Sequence, residues 1–215
     1  MGAMEAHDLL DVIYTAGVVF DGLSASRSAT DRFLRTGGTD GVRGRSDLAL
    51  LQDLEAAAEF VIATAGTPID AAYLSRINAQ LTRSAALNPG ALRRSEQGIG
   101  VRTAHGRYEP EAVTGEGLQG IVDKQLAHGE PVEAAARLFV ELARAQPFED
   151  GNKRTAIFAA NSYLLGQGAG VVLAVPHDED DPAVSQRFSD LLARAYVFGE
   201  VEPVVEMLVK NAGGR

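Results

Sequence analysis

Cysteine is missing from all 215 residues. That removes disulfides and thiolate metal sites from consideration and leaves the redox compartment open. Long apolar runs are missing too, so nothing matches the roughly 20 residues that a membrane-spanning helix needs. A basic surplus is also lacking: 20 Lys and Arg stand against 29 Asp and Glu, a formal net charge of −9. This argues against a phosphate track for nucleic acid, whereas a small anionic ligand needs only a local pocket. The first residues carry neither the basic nor the apolar region of a signal peptide. The stretch MGAM at 1–4 reads as a cloning remnant, and a cytoplasmic location is the expectation. No repeat, low-complexity tract or linker divides residues 5–215, and a 46% hydrophobic content suits one core, so a single domain is expected.

What is present is mostly helical texture punctuated by glycine and proline. EAHDLLDVIYTAGVVFDG predicts a helix ending near Gly22, and SASRSATDRFLRTGG gives a weaker, more polar helical signal. Leu51, Leu54, Ala58, Val61 and Ile62 recur at helical spacing behind Asp47, as do Leu74, Ile77, Leu81 and Ala85 behind Asp70. Between 88 and 110 the texture changes to a loop with a small hairpin, IGVRT and RYE joined by AHG. Helices return with EGLQGIVDKQLAHG and, behind Pro131, with PVEAAARLFVELARA. Further helices are predicted from Asn152 to about Gly166, behind Asp181 and Pro182, and after Pro203. The fold class expected is all-α with one small β-hairpin.

The chemistry concentrates in AQPFEDGNKRTA, residues 145–156. The positive end of a helix dipole disfavours Lys and Arg in the first turn by a few tenths to about 1 kcal/mol each. Two adjacent basic residues there, Lys153 and Arg154, suit an anion seated on the turn. The backbone N–H groups of Gly151, Asn152 and Lys153 would donate to it and Arg154 would supply a planar fork. Gly151 permits close approach, and Asp150 lies within reach of a divalent cation bridging phosphate oxygens. The plainer alternative is a solvated turn capped by Asp150.

Residues 146–156 resemble the signature of the Fic/Doc (Fido) superfamily, His-Pro-Phe-x-Asp/Glu-Gly-Asn-Gly/Lys-Arg, at every fixed position except the first, where Gln146 replaces histidine. INAQLTRSAALNPGALRR followed by GIGVRTAHGRYEP resembles the family's Pro-Gly-x-x-Arg turn and β-hairpin flap, and the likeness spans roughly residues 70–175. It implies a mainly helical Fic fold that binds ATP or another nucleotide with Mg²⁺. Asp150 would hold the metal, Gly151, Asn152 and Lys153 would form the anion hole, Arg154 would grip a phosphate and Phe148 would anchor the loop. The flap, with Ile99, Gly100, Val101, Arg102 and Tyr108, would position a protein or small-molecule acceptor. Typical members transfer AMP; the Doc type, which NKRTA resembles at Lys153, transfers the terminal phosphate. VVFDGL at 18–23 faintly resembles the family's inhibitory motif, with Asp21 and Gly22 where that motif has Glu-Gly; an ordinary helix end is the alternative reading.

Gln146 changes the mechanism that the resemblance implies. The family's histidine takes the proton of the attacking hydroxyl, and a neutral amide has no basicity for that task near pH 7. Three readings stay open: a nucleotide-binding pseudoenzyme or regulatory protein, a transferase whose acceptor needs no deprotonation or whose base lies elsewhere, and an engineered His-to-Gln variant. Glu149 is a candidate substitute base, although adjacent turn residues are expected to point apart and leave it solvated. Arg93, Arg94 and Arg102 are candidates to add charge around the flap. His105 reads as an exposed turn residue, and His7, His128 and His177 have no partner at metal-ligand spacing.

Overall fold

The computed structural model describes residues 4–84 and 87–214. Ala85 of the second apolar stripe and the first three residues of MGAM lie outside them. A 3₁₀ turn (Ala6–Leu9) leads into α1 (Leu10–Asp21), which Gly22 closes in the left-handed conformation at φ 69°. α2 (Arg27–Thr36) forms despite its polar sequence, because Ser26 caps it by accepting the Ala29 N–H at 3.2 Å and Phe33 anchors its one apolar face. α3 (Gly44–Ala63) begins three residues before the expected start. Asp47 is therefore not its cap: it is buried in the first turn and accepts the N–H and Oγ–H of Ser24.

Asp70 does cap α4 (Ala71–Asn78), accepting the Tyr73 N–H at 2.6 Å. This helix ends at Asn78, so Leu81 is buried from a loop rather than from the predicted stripe. After a 3₁₀ turn at Ser95–Gln97 comes the hairpin, β1 (Val101–Thr103) against β2 (Gly106–Tyr108), antiparallel with Val101 opposite Tyr108. α5 (Gly115–Leu126), α6 (Pro131–Ala145) and α7 (Asn152–Gly166) follow. Then come β3 (Val171–Val172), α8 (Pro182–Phe198), α9 (Glu202–Asn211) and β4 (Gly213–Gly214), which pairs with β3.

α7 is the centre of the molecule, touching α6, α4, α3, α1 and β3. It is buried nearly all round, as a central helix is, with Ala156, Ile157, Phe158, Ala159 and Ala160 fully buried. Its buried polar groups are satisfied. Asn161 donates to the Ile157 and Leu173 carbonyls and accepts the Leu173 N–H, each at 2.9 Å, which pins the chain beyond β3 to the helix. Ser162 bonds the Tyr73 hydroxyl at 2.6 Å. The α6–α7 pair presents its connecting turn, residues 146–151, at one end of the bundle beneath the hairpin. No helix among the described residues is long and apolar enough to cross a membrane.

Candidate active site

Two left-handed residues shape the turn between α6 and α7. Gln146 ends α6 at φ 46°, ψ 56°, the one non-glycine residue with positive φ among the described residues, and Gly151 precedes α7 at φ 71°. A Cβ at Gly151 would crowd Leu81 Cδ1 and force it to shift, and the positive φ itself favours glycine. A non-glycine residue in the left-handed region costs about 1–3 kcal/mol and persists where its surroundings over-determine it. Here Arg93, itself buried, donates from Nε to the Gln146 carbonyl at 2.6 Å and from Nη2 to the carbonyls of Pro110 and Glu111. Leu92 forms a β-bridge with Phe148, and the Arg93 N–H reaches the Pro147 carbonyl at 2.9 Å. Asn78 closes the other side: its Nδ2 donates to the Asp150 carbonyl and Thr155 Oγ1, both at 3.0 Å, and its Oδ1 accepts the Gly90 N–H.

A chain of hydrogen bonds also fixes which way the Gln146 amide faces. The Phe148 N–H donates to Asn152 Oδ1 at 2.8 Å, so Asn152 must present Nδ2 to the Phe148 carbonyl and to Gln146. Gln146 Oε1 therefore accepts from Asn152 at 3.1 Å, and its Nε2 donates to the Ala143 carbonyl at 2.6 Å. Flipping the amide would set oxygen against the carbonyl oxygen and nitrogen against Nδ2. Gln146 is thus a capping residue with no proton-accepting nitrogen.

The first turn of α7 leaves its donors open: the N–H groups of Asn152, Lys153 and Arg154 find no acceptor among the described residues, as at any helix start without a side-chain cap. The Gly151 N–H, by contrast, is engaged by Asp150 Oδ1 at 2.5 Å. Arg154 is 2% exposed. Its Nη1 donates to Ser84 Oγ at 2.7 Å, its Nε lies 3.4 Å from Asp21 Oδ2, and its Nη2 lies 3.7 Å from Asp150 Oδ1. Ser84 is held in turn by Asp53, a fully buried carboxylate on α3 that accepts the N–H groups of Thr82, Arg83 and Ser84 and the Ser84 hydroxyl.

Burial sets the local charge balance. It pushes the Asp21 carboxyl above its ordinary pKa, a rise that Arg154 and Lys153 oppose and Asp150 adds to. It also lowers the Lys153 ammonium, against the pull of Asp21 and with the repulsion of Arg154. Lys153 Nζ sits over the Phe20 ring, 4.8 Å from its centre.

Above this turn is a cavity of about 200 Å³ lined by Asp21, Ile99, Gly100, Val101, Gln146 and Glu149 together with Asp150 and the first turn of α7. A larger groove of about 630 Å³ between the hairpin and α8 shares Phe20, Val101 and Lys153 with it and includes Arg102, Asp190 and Tyr196. The structure thus gathers Asp21, Ile99, Gly100, Val101, Gln146 and Asp150 to Arg154 in one place. Arg102 lines the neighbouring groove. Tyr108 stacks on Tyr196 at 5.4 Å and Gly22 ends α1, so neither lines the cavity. His105 is not a bare turn residue: its Nε2 bonds Asp190 Oδ1 at 2.7 Å and fastens the hairpin tip to α8. Glu149 and Asp150 both line the cavity but meet different partners, Glu149 the Gln97 amide and Asp150 the Gly151 N–H and Arg154, and Glu149 is half-buried rather than solvated.

Sequence reasoning missed Asn78, Asp53 and Ser84, and left the bracing role of Arg93 unread. Asp53 and Asn78 each fall on the buried side of an amphipathic helix, where an unexplained polar residue is the available signal. Among the described residues no group of three or more His, Asp or Glu is placed to hold a metal ion. Asp150, 56% exposed at its side chain, has its second oxygen without a partner among the described residues. That fits Mg²⁺, which is commonly held by one or two carboxylates plus substrate phosphates rather than by a protein cage.

Residues 68–164 match the family model described as Fic/DOC family. No curated protein matches the chain. Among solved structures it is similar to a Fic domain containing signalling protein from Bacteroides thetaiotaomicron, at 20% identity and TM-score 0.72 over 94% of this chain and 81% of that one. Fic-1 from C. elegans is similar at 20% identity and TM-score 0.71 over 94% of this chain and 59% of that one. The N-terminal Fic domain of a VirB-translocated Bep effector from Bartonella quintana, solved with bound ADP, is similar at 19% identity and TM-score 0.54 over 79% and 85%. At these identities the likeness establishes the fold: mainly helical, with a small antiparallel strand pair.

Proposed function

With residues 68–164 a Fic/DOC-family segment in a chain of Fic fold, we propose that the protein is a nucleotide-dependent transferase that moves AMP or another nucleotidyl group from a nucleotide to an acceptor. The observation that carries this is the cradle: three unpaired N–H groups at the start of α7 beside a buried Arg154 guanidinium, under a cavity of about 200 Å³. Donors held in place beside a cavity stabilise negative charge with little reorganisation, which is what phosphate binding and transfer require. Arg154 grips a phosphate while Asn152 and Lys153 donate from the backbone. Phe148, fully buried, anchors the turn. Asp150 would hold Mg²⁺ together with the nucleotide's own phosphates, and the ion would supply neutralisation of phosphate charge.

The nucleoside fits the adjoining groove of about 630 Å³, a size ordinary for small-molecule sites. The Doc-like alternative rests on Lys153, yet its ammonium leans over Phe20 and faces both cavity and groove instead of filling the turn. Asp21, 3.4 Å from Arg154, occupies the place of an incoming phosphate oxygen and must yield to it. The strand edge of the flap, with Ile99, Gly100 and Val101 over the cavity, positions the acceptor.

Titration calorimetry with Mg²⁺ and ATP tests the reading. Saturable binding is expected, reduced at least tenfold by Arg154→Ala and more weakly by Asp150→Ala, with α-labelled ATP passing its label to an acceptor. Absence of binding at millimolar ATP would sink it in favour of an interaction module. The second reading, a nucleotide-binding protein without catalysis, is favoured by the committed amide of Gln146; it predicts the same binding with no label transfer.

A further inference from the structure

With Gln146 unable to accept a proton, the cavity must supply the base from another residue, and its walls offer few. None of its lining residues is a histidine. Asp21 and Asp150 both lie against Arg154, and Asp150 also accepts the Gly151 N–H. The Lys153 ammonium lies over Phe20 on the α1 side of the cavity. Glu149 differs from all of these. It lines the cavity, pairs with no cation among the described residues, and one oxygen, Oε1, is held by Nε2 of Gln97 in the 3₁₀ turn at the base of the flap. Gln97 is fixed in turn, its Oε1 accepting the Arg94 N–H at 2.5 Å. A basic group oriented by a third residue, one atom left free beside the flap that presents the acceptor, is the arrangement a general base needs.

We infer that Glu149 is the general base of this site and Gln97 its positioning residue, so that histidine's task has moved three positions along the same turn. This rests on the transferase reading above. In the step, the acceptor hydroxyl oxygen bonds to the α-phosphorus, and the bond from that phosphorus to the bridging oxygen breaks with both electrons leaving on pyrophosphate. The hydroxyl proton passes to Glu149 Oε2.

The test uses the whole chain with Mg²⁺ and α-labelled ATP, following release of AMP and pyrophosphate with water as the acceptor, together with any self-labelling. Glu149→Gln keeps the shape and removes the base; kcat is expected to fall about 10²- to 10⁴-fold while ATP affinity by calorimetry stays within twofold. Gln97→Ala should lower kcat with KM for ATP unchanged, and adding Gln146→His to Glu149→Gln should recover at least tenfold. Undiminished turnover in Glu149→Gln, or loss of ATP binding in step with turnover, overturns the assignment. So does a wild-type protein that binds ATP and turns none over. A wild-type protein that binds no ATP takes down the transferase reading and the base with it.

Discussion

Arg154 sits 2% exposed between two carboxylates and Ser84, and one of these carboxylates, Asp21, is the more deeply buried at its side chain. Its carboxyl pKa is raised by burial, so between the ordinary value of 3.8 and the raised one the folded chain binds more protons than the unfolded chain. Stability contributed by the neutral acid is therefore lost as pH rises through that window. Asp21→Asn should flatten this limb in denaturation curves recorded from pH 3 upward. It should also raise ATP affinity by roughly fivefold, corresponding to about 1 kcal/mol of removed competition. Unchanged affinity would show that the carboxylate is not in the way. The helix start at Asn152, with Lys153 and Arg154 in its first turn, was legible from the sequence. The Asp21–Arg154 pair was not, because an Asp-Gly helix end looks the same in sequence whether its carboxylate faces solvent or meets a residue brought to it by the fold.

Among the elements, the segment at 82–84 has no regular structure of its own and depends on Asp53. Removing that carboxylate leaves three N–H groups and a hydroxyl without their acceptor, each worth about 1 kcal/mol or more when buried. Asp53→Ala should lower stability by roughly 3 kcal/mol in urea titration. ATP affinity should fall as well, although Asp53 touches no part of the cavity, because Ser84 would no longer steady Arg154. A second prediction concerns the α6–α7 turn. Gly151→Ala must clear Leu81 and hold a positive φ, with an expected loss of about 1–3 kcal/mol and a weakened ATP isotherm. Helix existence was readable at this scale because apolar spacing and caps such as Asp70 and Asp181 are local. The starts and ends that differed, Gly44 before Asp47 and Asn78 before Leu81, were decided by what those side chains meet across the core.

For the molecule as a whole, α7 belongs to no excisable unit. Residues 68–164 carry the family match, yet α7 also packs on α1 and α3, which precede that span, and on β3, which follows it. An isolated 68–164 fragment is expected to lack a fixed tertiary structure by near-ultraviolet circular dichroism or amide dispersion, while the full chain unfolds in one cooperative transition. A well-folded fragment would contradict this account of the core. The same wiring has a consequence for synthesis on the ribosome. Asp21 belongs to the first complete α-helix, so at about 5–20 residues per second it emerges several seconds ahead of Arg154. A nascent chain therefore carries the counter-charge before it carries the cradle, and from the moment Arg154 is laid down a carboxylate is already waiting to occupy it.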